Sequence, residues 1–326
     1  MAVNDGPFTS CDLPIFGGRI YHTQLKPEEL SPNIIIVGDP ERVPEITRDH
    51  LYCPQVFLDH RGLVTITGVA RETDQRVTLV TSGMGTPSLE IVVNELVAAN
   101  EINFDSRARN QSPFKMINII RVGTSGALQR ETELGTPIIT DYVIGLDNAG
   151  MFYDIGYPDE LCRVLEERVH KAVDDAISLT SRFKGKIFPY VSRANPDVVK
   201  ALEYAANQLG VEYKKGITTS NSGFFANQGR HVSRVPLTVP DIDGILAKLD
   251  TGIPGQRIEN MEMEASFLAH FLGGLGYRAG IICPGIANRR EGSFAQHYAK
   301  NVSDATKVAL LALYELRKIG PLVLAA

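Results

Sequence analysis

The stretch IIIVGDPERV, residues 34–43, joins a short apolar run to a glycine turn and a polar segment. Four β-branched residues in succession, Ile34–Val37, predict a buried strand. Gly38 lets a backbone N–H approach an anion, and the guanidinium of Arg42 can bind phosphate oxygens with two parallel hydrogen bonds. Gly-Asp-Pro is also an ordinary turn, so the stretch alone indicates a strand that ends at a loop and leaves the role of that loop open.

Similar apolar runs recur along the chain, with helical periodicity between them. Further strands are predicted at Val77–Thr81, Met116–Val122, Pro137–Ile144 and Tyr277–Cys283. Helices are predicted over Ser88–Ala99, over Asp159–Ile177, from the Asn195-Pro196 cap to Gly210, and over Asp304–Lys318, the last beginning after Ser303 and ending at Gly320-Pro321. The alternation predicts an α/β fold around a largely parallel sheet. Because no repeat or Pro/Ser-rich linker divides residues 1–326, we expect one domain, with functional residues in loops at the carboxyl ends of strands.

The composition excludes several classes of function. With 33 basic and 38 acidic side chains the net charge is −5, which argues against broad binding to nucleic acid but allows a small anionic substrate. No run of about 18 apolar residues indicates a membrane span, and the N-terminus carries no readable export signal. The four cysteines have no short spacing typical of a disulfide framework or a metal site. We therefore expect a cytoplasmic protein.

Two further stretches join an apolar run to a glycine-rich turn. In VTSGMGTPS, residues 80–88, the turn precedes a helix opened by Pro87, a geometry that suits an anion or a sugar. Neither GxGxxG nor GK[ST] is present, so no nucleotide cofactor is indicated, and tight packing would explain the glycines equally well. In NIIRVGTSGAL, residues 118–128, Arg121 lies in an apolar strand and needs an anionic partner, either a bound phosphate or a carboxylate of the protein.

Aromatic, amide and acidic side chains mark two later stretches. FFANQGR, residues 224–230, could stack on a base and hydrogen-bond its polar edge through Gln228 and Arg230, although such loops are common. NMEMEASFLAHFL, residues 260–272, places Glu262 and Glu264 before an apolar helix, where carboxylates are also ordinary dipole partners. Two positions apart, they are expected to point to different sides, so that at most one faces a given ligand.

Taken in order, these five stretches resemble the nucleoside phosphorylase family of the uridine and hexameric purine type, over about residues 21–290. The resemblance implies phosphorolysis, in which inorganic phosphate attacks the anomeric carbon of a nucleoside and gives ribose 1-phosphate and the free base. It implies a single-domain three-layer α/β/α sandwich around a twisted, mixed, largely parallel sheet, with residues 1–20 as an N-terminal extension. It also implies a homo-oligomer with an active site shared across a dimer interface, phosphate as co-substrate, and no cofactor or metal.

The resemblance assigns phosphate-binding residues position by position. Gly38, Arg42 and Arg121 match the phosphate-binding residues of the family. Thr124 matches a hydroxyl that lies between phosphate and ribose. Arg61 resembles the arginine that such enzymes lend to the phosphate of the neighbouring subunit.

The ribose-binding residues are implied in the same way. Glu264 would accept hydrogen bonds from ribose hydroxyls, Met263 would pack on the sugar, and Glu262 would support them. His22 resembles a histidine that reaches across the interface to the ribose 5′-hydroxyl. In this reading His22 binds substrate and is not a general base.

For the base, the resemblance favours uridine. Gln228 and Arg230 match the pair that holds a pyrimidine carbonyl and imide edge, and Phe224 and Ile286 would lie against the ring. The segment 284–289, PGIANR, lacks the aspartate that the purine type places there, and Arg289 resembles an arginine of the uridine type. Arg121, Arg230, Gln228 and Glu264 would then be the catalytic residues, with pyrimidine salvage as the role.

The sequence also departs from the family pattern. Ala226-Asn227 and Gly229 replace residues that the bacterial uridine enzymes commonly have, proline and glycine in the first case and an acidic residue in the second. Three alternatives stay open. They are a purine nucleoside phosphorylase, a nucleosidase, which would lack the phosphate arginines, and a non-catalytic nucleoside-binding protein that would bind without turnover.

Overall fold

The computed structural model describes residues 5–319. The strands within this range are β1 Ile15–Phe16, β2 Arg19–Ile20, β3 Asn33–Val37, β4 Leu51–His60, β5 Leu63–Ala70, β6 Arg76–Thr81, β7 Ile102–Asn103, β8 Ala108–Arg109, β9 Asn118–Val122, β10 Ser125–Ala127, β11 Pro137–Leu146, β12 Tyr190–Arg193, β13 Lys214–Asn221, β14 Ile258–Glu262, β15 Arg278–Asn288 and β16 Ser293–Phe294. The helices are α1 Arg42–His50, α2 Thr86–Glu101, α3 Glu160–Asp175, α4 Pro196–Gln208, α5 Ile242–Ala247, α6 Ala265–Gly274 and α7 Ala299–Leu316.

Twelve strands form one mixed sheet. Neighbouring strands follow the order β12-β11-β13-β14-β10-β15-β9-β3-β6-β5-β4, and β16 pairs with β15. Its centre is parallel: β3 pairs with β6 and β9, and β9 pairs with β15. All five residues of β3 and of β9 are buried, as expected for strands covered on both faces. Antiparallel hairpin pairing of β4, β5 and β6 forms one edge.

The other half of the sheet closes on itself. Strand β11 is parallel to β13 and also pairs with β15 through Pro137–Ile139 and Ile282–Pro284. Since β13, β14, β10 and β15 are neighbours in turn, this extra pairing completes a ring of five strands. The ring brings the ends of β13, β14 and β10 close to those of the parallel centre.

Helices pack on this sheet to give the predicted α/β class. Helices α4 and α7 contact each other and β15, while α2 and α6 contact each other and α6 reaches β11, β13 and β15. A second core lies between α3, α5 and the strands β11 to β14. No helix within residues 5–319 combines the length and the apolar character needed to cross a bilayer.

Two helices begin at cap residues whose side chains accept backbone hydrogen bonds. Asn195 Oδ1 accepts from the backbone N–H groups of Asp197 and Val198, with Pro196 in the first turn, as the cap motif predicted. Asp159 likewise accepts from Cys162 N at the start of α3. The predicted strands and helices are all present, although β15 continues beyond Cys283 as far as Asn288.

The predicted start of the last helix was wrong. Helix α7 begins at Ala299, one turn before Ser303, because Val302 is buried in its first turn and donates its N–H to Tyr298 O. Ser303 does not cap the helix, since its hydroxyl bonds the ring of His50 at 3.0 Å. The predicted stop at Gly320-Pro321 lies outside the described residues.

Candidate active site

A cavity of about 460 Å³ lies where β3, β6, β9, β13 and β14 end. Carboxyl ends of strands in open α/β sheets are the usual place for a ligand, and the volume is that of a small-molecule site. The cavity is lined by eleven residues that the sequence singled out: Gly38, Arg42, Arg121, Thr124, Phe224, Gln228, Arg230, Glu262, Met263, Glu264 and Ile286. A larger hollow of about 570 Å³ near Arg76 and Asn100 contains none of them.

Arg121 is the central cation of the cavity. It belongs to β9, and its side chain is almost fully buried. Nε donates to Glu262 Oε2 at 3.2 Å, and Nη2 donates to Glu264 Oε2. Its Nη1 is buried, with no hydrogen-bond partner among the described residues. Burial alone would lower the pKa of Arg121, but the charges of Glu264 and Glu262 outweigh it and hold that pKa above its ordinary value. The guanidinium therefore stays charged, and Nη1 is a donor that no described residue uses.

The sequence predicted that Glu262 and Glu264 point to different sides, and this prediction was wrong. Both carboxylates contact Arg121. Glu262 ends β14, but Glu264 has left the strand and precedes α6, so strand alternation no longer applies. Of the two alternatives for Arg121, a carboxylate partner is thus present, and Nη1 has no hydrogen-bond partner among the described residues.

Glu262 is held from several directions. Its oxygens accept from Ser220 Oγ at 2.5 Å and from the backbone N–H groups of Glu264 and Ala265 at 2.9–3.0 Å, in addition to Arg121. Ser220 Oγ in turn accepts from Ser266 N. Such a set of donors holds the carboxylate in one position. Glu262 therefore orients Arg121.

The carboxylate of Glu264 has fewer hydrogen-bond donors around it than that of Glu262. Its Oε1 accepts from Gly85 N at 2.5 Å, where Gly85 has a φ of +85° that favours glycine. Burial raises the pKa of Glu264 to about 7, with Arg121 opposing the shift and the like charge of Glu262 adding to it. One guanidinium cannot balance two buried carboxylates, so Glu264 is the one that resists ionisation.

The loop after β3 and the turn after β9 face the same end of the cavity. Arg42 is the first residue of α1, and its side chain is largely buried. Among the described residues its guanidinium has only weak partners: Asp39 Oδ2 at 4.0 Å and the Tyr298 ring at 6.0 Å. Gly38 lies close to the glycine-rich turn, since a Cβ on it would be 3.4 Å from Gly83 O. Together with Thr124, these residues surround a space that suits an oxyanion.

A second part of the cavity lining comes from the short turn Ala226–Gln228 and the residues beside it. Arg230 Nη1 donates to Gln228 Oε1 and to Phe224 O, both at 2.6 Å, and its guanidinium lies 3.8 Å from the centre of the Phe224 ring. Arg289 Nη2 donates to Gln228 O at 2.9 Å. Burial, together with the like charge of Arg289, lowers the pKa of Arg230 to about 10. An aromatic face, an amide and two cations thus converge on one place.

Gly229 closes this turn with a φ of +73°, in the left-handed region. A Cβ at this position would lie 2.3 Å from Asp243 Oδ1. The acidic side chain that the bacterial uridine enzymes commonly have in place of Gly229 would have no room here.

Some residues at the cavity were missed by sequence reasoning. Met84 lies in the glycine-rich turn that the sequence did single out, so its position was within reach. Phe294 of β16 also lines the cavity, but nothing in the surrounding sequence indicates this. Asp243 lies behind the turn that holds Gln228, and only the tertiary fold shows it.

His22 and Arg61 do not line the cavity of their own chain. They lie close together elsewhere: the Tyr21 ring contacts His22, and Arg61 Nη1 lies 3.4 Å from Tyr21 Oη. Glu95 of α2 holds His22 by accepting from its backbone N at 2.9 Å and lying 2.7 Å from its Nδ1. Arg61 is exposed and has a φ of +56° in the β4–β5 hairpin turn, a costly backbone conformation for arginine.

Among residues 5–319, no group of three or more His, Cys, Asp or Glu side chains is arranged to hold a metal ion. The expectation that the protein works without a metal or cofactor stays a prediction. The donors that converge on the cavity are cationic and amide groups, which suit an anion and a polar ring.

Comparisons with known proteins show which proteins this chain resembles. A sequence family described as the phosphorylase superfamily matches residues 32–314. A curated protein named uridine phosphorylase, from Thermococcus kodakarensis, is 28% identical over 299 residues, which cover 89% of this chain and 87% of that protein. A purine nucleoside phosphorylase of the DeoD type from Oceanobacillus iheyensis is 30% identical over 118 residues, only 36% of this chain and 43% of its own.

Among solved structures, a Trypanosoma brucei nucleoside phosphorylase, described as showing uridine phosphorylase activity, superposes with a TM-score of 0.80. It is 27% identical, and the match covers 94% of this chain and 100% of that one. The predicted fold class is thereby confirmed over nearly the whole chain.

Proposed function

Because the chain belongs to the phosphorylase superfamily, we propose that the protein is an enzyme that catalyses the reversible phosphorolysis of uridine to uracil and ribose 1-phosphate. The products make it a pentosyltransferase. Pyrimidine salvage in the cytoplasm is the role that we propose for it.

One observation carries this proposal: a single cavity is lined by two groups of side chains with different chemistry. One group contains Arg42 and Arg121, whose Nη1 has no hydrogen-bond partner among the described residues, and the other contains the amide of Gln228 and the guanidinium of Arg230. Glu264 lies beside Arg121 and is the available hydrogen-bond acceptor for a sugar. A phosphate, a ribose and a pyrimidine would fit in that order.

At the phosphate end, the arginines would hold the nucleophile. Arg42, Arg121 and the backbone N–H at Gly38 would bind the phosphate dianion, with the Thr124 hydroxyl between phosphate and sugar. Fixing the nucleophile next to the anomeric carbon makes the attack effectively intramolecular. The bound phosphate also stabilises the positive charge that develops on the ribose.

The sugar would be held by its hydroxyls. As the glycosidic bond breaks, the ribose becomes oxocarbenium-like, and the ionised form of Glu264 accepts hydrogen bonds from the hydroxyls. Met263 packs against the sugar, and Glu262 keeps Arg121 in place through its own hydrogen bonds. No covalent intermediate with the protein is needed, because phosphate is itself the nucleophile.

At the base end, negative charge grows on the leaving uracil. Gln228 would bind a carbonyl and the imide edge, while Arg230 stabilises the developing anion. Phe224 and Ile286 lie against the ring. Stabilisation that strengthens as the charge develops lowers the barrier more than tight binding of uridine would.

We further propose a homo-oligomer in which Arg61 and His22 complete the site of a neighbouring subunit. Both residues lie outside the cavity of their own chain, which supports a role elsewhere. Glu95 holds His22 through Nδ1 and leaves its Nε2 for the ribose 5′-hydroxyl. The left-handed backbone at Arg61 projects an exposed guanidinium from a hairpin tip, where a structural role would not require arginine.

The competing functions fit the geometry less well. A purine enzyme would need an acid at the base, but the segment 284–289 has none, and Asp243 is tied to arginines behind the cavity. A nucleosidase has no use for the two phosphate arginines. The long match to the uridine phosphorylase relative, against the short match to the purine enzyme, also favours uridine.

The test is a comparison of nucleosides. With inorganic phosphate present, free base released from uridine, deoxyuridine, thymidine and inosine would be followed by ultraviolet absorbance and chromatography. We expect uridine to give the highest kcat/KM and inosine negligible turnover. Preferred cleavage of inosine would contradict the assignment of Gln228 and Arg230, and binding of uridine without turnover would support a non-catalytic protein.

A further inference from the structure

Behind the base end of the cavity lies a buried carboxylate that the proposed reaction does not use. Asp243 belongs to α5 and is 5% exposed. Its Oδ2 accepts from Arg290 Nη2 and lies 3.5 Å from Arg289 Nη2. A buried carboxylate is costly to desolvate, so its two arginine partners account for its presence.

Asp243 links two segments that approach the base from different sides. Arg289 and Arg290 follow β15, and Arg289 Nη2 also donates to Gln228 O in the turn Ala226–Gln228. The other carboxylate oxygen, Oδ1, lies against Gly229, in the space that a Cβ there would need. One side chain thus sets the distance between the turn and the loop after β15.

The charges explain why this carboxylate matters. Arg230, Arg289 and Arg290 bring three cations to one end of a partly buried site, and the Nε atoms of Arg289 and Arg290 are buried, with no hydrogen-bond partner among the described residues. The like charge of Arg289 acts on Arg230, while Asp243 opposes it. Asp241, two residues earlier, lies 4.0 Å from Arg290 Nη1, but its side chain is 68% exposed and therefore screened.

From this geometry we propose that Asp243 is a positioning residue for the nucleobase. Its carboxylate restrains Arg289 and Arg290 and packs against Gly229, which together fix Gln228 and Arg230 in the arrangement that binds the uracil ring. This inference rests on the proposed uridine reaction. Asp243 touches no substrate and acts only through these neighbours.

The test compares Asp243→Asn with Asp241→Asn in the full-length protein. KM for uridine and KM for phosphate are measured separately, each at saturation of the other substrate. We expect Asp243→Asn to raise the uridine KM about tenfold or more, as for loss of a buried charged partner, and to leave the phosphate KM within about twofold. Asp241→Asn, which removes an equal but exposed charge, should change neither constant.

Several results would overturn the inference. An unchanged uridine KM in Asp243→Asn, or an equal rise in both constants, would show that Asp243 has no selective effect on the base. If Asp243→Asn does not fold, Asp243→Glu is tested in its place. The added methylene must displace Gly229, so the same selective rise in the uridine KM is expected. An unchanged uridine KM in Asp243→Glu also contradicts the inference. Failure of the wild-type protein to cleave uridine with phosphate would instead refute the proposed function, and the inference with it.

Discussion

Replacement of Glu264 by glutamine should remove a specific pH dependence of stability. The pKa of Glu264 is about 7 in the folded protein, against an ordinary value of 4.5, because it is buried beside Glu262 with one shared cation. Between these values the folded state holds a proton that the unfolded state releases, so the free energy of unfolding falls as pH rises. The contribution is complete below about pH 4.5 and is lost as pH rises through about 7.

The magnitude follows from the difference between the two pKa values. Each unit corresponds to about 1.4 kcal/mol, so this single group should account for a loss of about 2–3 kcal/mol between about pH 5 and about pH 8. Glu264→Gln keeps the shape of the protonated carboxyl but cannot titrate. The difference in stability between wild type and variant should therefore change by this amount across the range.

The assay is urea unfolding at fixed protein concentration, without phosphate or nucleoside, at several pH values for both proteins. Subtraction of the two curves cancels other titrating groups, including His50 and His270, whose pKa values are both lowered by burial. A difference that is flat between about pH 5 and about pH 8 would refute this account of Glu264. A difference that increases in favour of the wild type as pH rises would show that Arg121 dominates and that Glu264 is an ordinary ion-pair partner.

Other changes test other parts of the site. Arg121→Met should lower kcat/KM for phosphate by about a hundredfold or more, because it removes the buried donor that faces the anion; steady-state kinetics over phosphate concentration would show it, and normal phosphate saturation would contradict the assignment. Ser220→Ala removes the 2.5 Å bond to Glu262 and should cost about 1.5–3 kcal/mol of stability and raise the phosphate KM, whereas Ser220→Thr should retain most of both. Arg61→Ala and Arg121→Met should each be poorly active alone, but random subunit exchange between equal amounts should restore about a quarter of the wild-type activity, because about half of the dimers are then mixed and one of the two sites in each mixed dimer regains both arginines. No recovery in demonstrated mixed dimers would argue against a shared site.

The sequence predicted well what depends on neighbouring residues. The apolar runs around Ile34–Val37 and Asn118–Val122 form the buried parallel centre of the sheet, and the loops that follow them meet at the cavity, because carboxyl ends of parallel strands share one edge. The pair Gln228 and Arg230 could be found because the two residues are only two positions apart in one short stretch of sequence.

What the sequence could not predict depends on contacts between distant residues. It left the partner of Arg121 open between a phosphate and a carboxylate. The structure shows that two carboxylates bind the guanidinium, while Nη1 has no hydrogen-bond partner within residues 5–319. Nothing local connects Ser220 with Glu262 or Asp243 with Arg289. Ser303 resembled a helix cap, but its hydroxyl is used by His50 on another element.

Product analysis with and without phosphate tests the central claim most directly. Purified protein would be incubated with uridine in phosphate-free buffer and in buffer with inorganic phosphate, and uracil, ribose and ribose 1-phosphate would be separated by chromatography. The account predicts equal amounts of uracil and ribose 1-phosphate, formed only when phosphate is present. Uracil and free ribose formed at the same rate without phosphate would contradict it, since the arginines of the cavity would then have no phosphate to bind.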